Sequence, residues 1–235
     1  MELLVGCIIL FVIFFIPWWV KRYFYKRTTY YAITQTPLSQ LNKGSVGEYL
    51  IYKKLKRYEK QGGKFLFNLY LPTTRNGTTE VDVVLIHPKG FFVLESKNYA
   101  GWIFGNEVNR TWTQVLPKGR GRDSNKEKFQ NPIRQNATHI KYLKRIVGET
   151  VPMWSVIVFG DDCTFKDVTV STDVRFKVTY LHKLKSVVSR IIKNPETDAF
   201  SQQTIDSMYS LLYPYTQVSD EIKREHIESI RNRRW

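Results

Sequence analysis

The chain is poor in cysteine, in histidine and in acid. Two cysteines in 235 residues, Cys7 within an apolar run and Cys163 on its own, cannot staple a fold or supply a zinc site of the usual Cys/His spacing. The four histidines, His87, His139, His182 and His226, show neither H-E-x-x-H nor any paired ligand spacing,. No G-x-x-x-x-G-K-[ST] loop occurs, so a nucleoside triphosphate is not an expected partner. Repeats and low-complexity tracts are missing as well. Against 36 Lys+Arg stand only 21 Asp+Glu, leaving a net charge of +15. Such an excess predicts attraction to polyanions, either nucleic acid or an anionic lipid surface. With 43% hydrophobic and 24% charged residues, the composition is globular, and the length allows one sizeable domain with appendages.

What is present first is an uncharged run. Leu3 to Val20 reads LLVGCIILFVIFFIPWWV, 18 residues that as a helix span roughly 27 Å, enough for a bilayer hydrocarbon core. Trp18 and Trp19 occupy the place of an interfacial aromatic belt, and Lys21, Arg22, Lys26 and Arg27 follow at once. The basic flank predicts a single-pass anchor over residues 3–20 with the N-terminus outside and the bulk of the chain cytoplasmic. A cleaved signal peptide fits less well, because the run has no basic residue before it and no small-x-small site after it. Residues 21–40, aromatic, basic and aperiodic, are expected to be a juxtamembrane linker.

Beyond Gly44, Ile51, Leu55 and Tyr58 recur at helical spacing, and Gly62-Gly63 supplies a stop,. Phe65–Leu71, Glu80–Ile86 and Phe91–Lys97 predict strands, the last two joined by His87-Pro88-Lys89-Gly90 as a four-residue hairpin connection,. A second hairpin is expected between Trp102–Phe104 and Thr111–Leu116, and Lys118–Lys128 reads as a solvated basic loop. Asn131-Pro132 opens a helix with Asn as its cap and the stripe Ile133, Ala137, Ile140, Leu143 and Val147,. Met153–Phe159 is a near-continuous apolar run, as expected of a doubly buried strand. The chain after Leu181 reads as mostly helical and ends in a basic tail. Together these elements predict an α/β domain with a mixed sheet.

The informative chemistry lies in the hairpin. Ile86 opposite Phe91 places Val84 opposite Val93 and Asp82 opposite Glu95, two carboxylates facing each other on an apolar face. Like charges opposed across strands are destabilising, the more so when buried. A cation between them removes the conflict. Lys97, on the same face as Glu95, supplies one charge, and a divalent metal with hard oxygen ligands supplies two. The competing reading is a structural ion-pair cluster on a solvated face. Glu48 lies beside the apolar stripe of the first helix, where a carboxylate needs a partner, and Gly47 next to it permits a close helix–sheet approach. An exposed first-turn glutamate favoured by the helix dipole is the alternative.

A helix bearing Glu48, then EVDVVLI with Asp82, FFVLESKNYAGWIFG with Glu95-Ser96-Lys97, and FQNPIRQN with Gln135, taken in this order, resembles the NERD (nuclease-related) domain. That family is grouped with the PD-(D/E)xK, restriction-endonuclease-like nucleases, and the likeness runs from about Gly44 to Val151. It implies a restriction-endonuclease-like α/β core, a mixed central sheet flanked by helices, here preceded by a single transmembrane helix. It also implies Mg²⁺- (or Mn²⁺-) dependent cleavage of DNA or RNA. By motif, Asp82 and Glu95 are the implied metal ligands and Lys97 the lysine of the E-x-K signature. Glu48 matches the first-helix carboxylate, and Gln135 the glutamine of the N-P-x-x-Q segment. Val81 stands where the superfamily name has proline. The expected organisation is an anchor (1–20), a basic linker (21–40), the nuclease-like domain (41–180) and a helical extension with a basic tail (181–235). A non-catalytic, membrane-tethered nucleic-acid-binding or scaffold module is the alternative function.

Overall fold

The computed structural model describes residues 16–74, 77–117, 124–171, 176–193 and 200–232. Residues 16–26 are helical (α1), followed by α2 (Thr29–Thr34) and α3 (Lys43–Leu55). Three strands come next, β1 (Lys64–Pro72), β2 (Thr78–His87) and β3 (Gly90–Lys97). A second group, β4 (Gly101–Asn106), β5 (Thr111–Leu116) and β6 (Asn125–Gln130), leads into α4 (Pro132–Val147). The chain continues with β7 (Met153–Phe159), β8 (Cys163–Thr169), β9 (Phe176–Tyr180), α5 (Leu184–Ile192), α6 (Gln202–Leu212) and α7 (Asp220–Arg231).

The strands build two mixed sheets, β1-β2-β3-β7-β9 and β6-β5-β4-β8. In the larger one β1, β2 and β3 are antiparallel, while β3, β7 and β9 run parallel. Alternation then sorts the side chains. Val83, Leu85, Phe92 and Leu94 pack with Ile51, Tyr52 and Leu55 of α3 in one layer. Val84, Ile86, Phe91 and Val93 pack with Leu143 of α4 and Leu212 of α6 in the other. Ile157 and Phe159 of β7 meet Ile103 and Trp112 of the smaller sheet in a third cluster. The expected α/β architecture, mixed sheets flanked by helices, is what the chain forms. The apolar β7 occupies the interior place foreseen for it, between β3 and β9.

Three details differ from expectation. The β2–β3 register is the expected one, with Ile86 opposite Phe91 and Val84 opposite Val93, but His87 and Gly90 also pair, leaving Pro88-Lys89 as the turn. Gly90 takes φ +114°, and a Cβ there would stand 2.7 Å from the Pro152 carbonyl oxygen, so the tight turn requires glycine. The basic stretch, expected as a loop, is in part a strand. Residues 118–123 lie outside the described residues, while Asn125–Gln130 form β6, paired along β5. Residues 21–40, expected as a linker, carry the end of α1 and all of α2, and Tyr25, Tyr30 and Ile33 are buried in the α3 layer. Tyr25 and Tyr30 are core while Tyr23 and Phe24 stay exposed, and the Tyr25 hydroxyl donates to the Thr36 carbonyl at 2.7 Å.

Of the apolar run 3–20, residues 3–15 lie outside the described residues. Among the described residues no helix is long and apolar enough to cross a membrane. The end of the run that is described leaves Trp18 and Trp19 exposed.

Candidate active site

Four elements bring polar side chains to one end of the larger sheet. α3 starts from an Asn42 cap, whose side chain accepts the Ser45 N–H at 3.0 Å,. Gly47 lets α3 lie against β3, since a Cβ at that position would collide with the Ser96 hydroxyl. Glu48, the next residue, is half-buried and accepts the Tyr30 hydroxyl at 3.0 Å. Burial pushes its carboxyl up to about 7, against the lowering effect of the Tyr30 hydrogen bond,.

The β2–β3 ladder ends at Val83 opposite Leu94, one pair before Asp82 and Glu95. Beyond it the Asp82 carboxylate takes the place of a backbone partner, Oδ2 accepting the Ser96 N–H at 2.8 Å. Burial, and then the charges of Glu95 and Glu48, raise the Asp82 carboxyl well above the usual range. Glu95 is 1% exposed, and Lys97 Nζ donates to its Oε1 at 2.6 Å. Burial opposes ionisation of Glu95, but Lys97 and His139 outweigh it and hold the carboxyl down at about 2. Burial likewise works against the Lys97 ammonium, and Glu95 more than offsets it. The same ammonium donates to Gln135 Oε1 at 3.1 Å, in the first turns of α4. Asn131 caps that helix, accepting the Ile133 N–H at 2.9 Å.

Of the five residues expected at the site, Glu95, Lys97 and Gln135 are in direct contact, while Asp82 and Glu48 act on the cluster through their charges, Glu48 from the α3 side. The structure adds partners that the sequence reading missed. His139 is buried, its Nδ1 2.8 Å from Thr79 Oγ1 and its Nε2 3.2 Å from Glu95 Oε2. The latter contact is off the hydrogen-bond direction, so both atoms lack an aligned partner. The contact is electrostatic in character. Glu80 accepts the Tyr70 hydroxyl at 2.8 Å, lies 3.6 Å from His226 Nε2, and is shifted upward by burial. Glu80 is two residues from Asp82, and His139 one helical turn from Gln135, so strand and helix periodicity pointed to both. Tyr30 carried no such signal. Asp82, Lys97, Gln135, Glu80 and His139 border a cleft of ≈ 400 Å³, walled further by Tyr99, by Lys128 and Phe129 of β6 and by Ile230 of α7, with Glu95 and Glu48 behind its surface.

The charge balance has a measurable consequence. Glu48 keeps its proton to about pH 7 when folded, against 4.5 for an ordinary glutamate, so between these values the native state binds more protons than the unfolded chain. Stability must therefore fall as pH rises from 4.5 to 7. At 1.36 kcal/mol per unit, discounted for the half-exposed position, the penalty above pH 7 is about 1–3 kcal/mol. Glu48→Gln is expected to be more stable than wild type by that amount at pH 8 and no different at pH 4.5, read by urea unfolding.

The chain is thus an α/β domain with mixed sheets and an acid–lysine cluster at one end of the larger sheet. The chain belongs to the NERD, nuclease-related domain, family, whose profile matches residues 43–160. It is also 29% identical over 192 residues to an uncharacterized protein of Bacillus anthracis, covering 81% of this chain and 85% of that one. No solved structure matches the chain.

Proposed function

We propose that the protein is a membrane-tethered, Mg²⁺-dependent nuclease, hydrolysing phosphodiester bonds of DNA or RNA on a restriction-endonuclease-like core at the cytoplasmic face. The observation that carries this reading is the buried Lys97–Glu95 pair beside Asp82 at the edge of an open cleft.

The donors suit a hard divalent ion. Glu95 Oε2 is a buried acceptor without an aligned donor, and Asp82 sits in the combined negative potential of Glu95, Glu48 and Glu80. Among the described residues no three acidic, histidine or cysteine side chains form a ready-made metal group. Mg²⁺ does not require one, because it commonly takes one or two carboxylates and completes its shell with water and phosphate. Asp82, Glu95 and the Ser96 carbonyl would hold the ion. It would supply Lewis-acid polarisation of a phosphoryl oxygen.

The remaining roles belong to the chain's own groups. Lys97, fixed by Glu95 and Gln135, orients the attacking water and stabilises the charge that develops on phosphorus-bound oxygen. Gln135, whose Oε1 accepts from Lys97, offers its side-chain N–H groups to a phosphate. Glu48 orients solvent from the α3 side. Lys126 and Lys128 on β6, together with the net charge of +15, hold the nucleic-acid backbone without reading its sequence.

Membrane tethering is supported by the uncharged run of residues 3–20 and by the exposed Trp18, Trp19, Tyr23 and Phe24. Arg22 lies over the Trp18 ring at 5.4 Å and Arg27 over the Tyr23 ring at 4.4 Å. Aromatic rings with cations beside them suit the interface between hydrocarbon and anionic headgroups.

One observation favours a non-catalytic binding module instead. Lys97 already neutralises Glu95, and the Ser96 N–H already occupies Asp82, so the cluster is partly satisfied without a metal. Incubating the full-length chain in mild detergent with single- and double-stranded DNA and RNA separates the two. Cleavage with Mg²⁺ or Mn²⁺, abolished by EDTA, is expected. Salt-dependent binding without cleavage, indifferent to EDTA and to Lys97→Ala, would establish the binding module.

A further inference from the structure

β1 breaks its own pattern in one place. Phe67 pairs with Val83 and Leu69 with Val81, while Asn68 and Asp82 between them have no ladder partner. Residues two apart on a strand normally share a face. Here Phe67 and Val83 pack in the α3 layer, whereas Leu69 and Val81 pack in the α4 layer. The paired strands therefore roll over at this point. Asn68 takes φ +52°, a left-handed conformation that asparagine tolerates better than most residues but that is strained inside a strand. Strain of this kind persists only where the surroundings enforce it, and it concentrates at functional sites.

The side chain is placed as unusually as the backbone. Its amide lies near enough to the Glu48 carboxyl to draw that group's pKa down against burial, while its Oδ1 is buried without a hydrogen-bond partner. A β-branched residue in extended conformation would serve β1 better as a strand. The roll instead does something for the site. Glu48 comes from the α3 layer, whereas Gln135 and His139 come from α4 on the opposite side of the sheet. A regular β1–β2 pair would keep the two layers apart at Asp82.

We propose that Asn68 is a positioning residue of this site: its left-handed backbone rolls β1 and β2 so that Asp82 stands between the two helix layers, and its amide holds Glu48 toward that cluster. The inference rests on the metal-dependent reading above and extends it to a residue outside every motif that suggested that reading. Asn68 acts through Glu48 and Asp82.

The test compares full-length wild type, Asn68→Gly and Asn68→Ala in mild detergent, each titrated with Mn²⁺ alone and followed by the electron paramagnetic resonance of the free ion. Glycine keeps the left-handed backbone and deletes only the amide; alanine deletes the amide and strains the backbone. Asn68→Gly is expected to unfold at the wild-type temperature, with Asn68→Ala lower, yet both to bind Mn²⁺ about 10-fold more weakly, as when a group outside the ligand set that steadies the ion's bound water is lost. In a Glu48→Gln background, Asn68→Gly should weaken binding little further. Wild-type affinity in Asn68→Gly, or an equal loss in both backgrounds, overturns the role of Asn68 and leaves the metal reading standing. A wild-type chain that retains no Mn²⁺ overturns the metal reading and this inference with it.

Discussion

Glu95→Gln is expected to lower Mg²⁺-dependent cleavage by about 10³-fold, the scale on which removing one preorganised electrostatic group acts. Glu95 has two roles that a neutral amide cannot fill. It is one of two carboxylates proposed to hold the ion, and it is the counter-charge that keeps Lys97 protonated in a site where both side chains are largely withdrawn from water (13% and 1% exposed). Removing that charge leaves a buried ammonium whose remaining hydrogen bond among the described residues goes to the neutral Gln135 oxygen, so the variant is also expected to lose about 3–5 kcal/mol of stability. The double variant Glu95→Gln/Lys97→Met removes both charges. It should recover most of the stability and none of the cleavage. Urea unfolding and single-turnover cleavage on the same preparations separate the effects, and cleavage by Glu95→Gln at the wild-type rate would refute the site.

The largest effect on stability alone is expected at Asn131. Its Oδ1 caps α4 at the Ile133 N–H, while its Nδ2 reaches the carbonyls of Asn106, Glu107 and Asn109 at 3.2, 2.9 and 2.7 Å. The residue is completely buried, so water cannot replace what a substitution removes. Asn131→Ala strands a helix N-terminus and the turn between β4 and β5 together. The expected cost is about 3–5 kcal/mol, combining a lost cap with unsatisfied buried acceptors. Asn131→Asp keeps the cap but sets a carboxylate against those carbonyls, so it should be at least as damaging. A loss below about 1 kcal/mol in denaturant unfolding would show that the turn finds other partners. Because Gln135 lies one helical turn on, Asn131→Ala should also weaken the Lys97–Gln135 contact and slow cleavage.

Much of the site was readable before the fold was known, for identifiable reasons. The β2–β3 register followed from strand alternation and from the turn signals Pro88 and Gly90, but the ladder stops at Val83 opposite Leu94, so the expected pairing of Asp82 with Glu95 does not form and Asp82 accepts the Ser96 N–H instead. The Asn131-Pro132 start of α4 was legible because cap chemistry is local,. Tyr30 was not, since aromatic, basic and aperiodic residues look alike in a linker and in a segment whose rings fill a core layer. Asn68 was hidden for a related reason. Within Phe65–Leu71 it reads as one polar position in an apolar strand, and nothing local announces a left-handed residue there.

The sequence by itself determined the inventory of acids, lysine and glutamine, the order of the elements that carry them and, away from the roll at Asp82, the faces those residues occupy, because helix and strand periods act over a few positions. Only the tertiary structure decided which layers meet. Thr79 touches His139 60 positions away and Thr78 touches His226 148 positions away, while the strained Asn68 lets carboxylates from opposite sides of the sheet share one cluster. Contacts of that range depend on how layers of apolar surface are buried against one another, which no local period records.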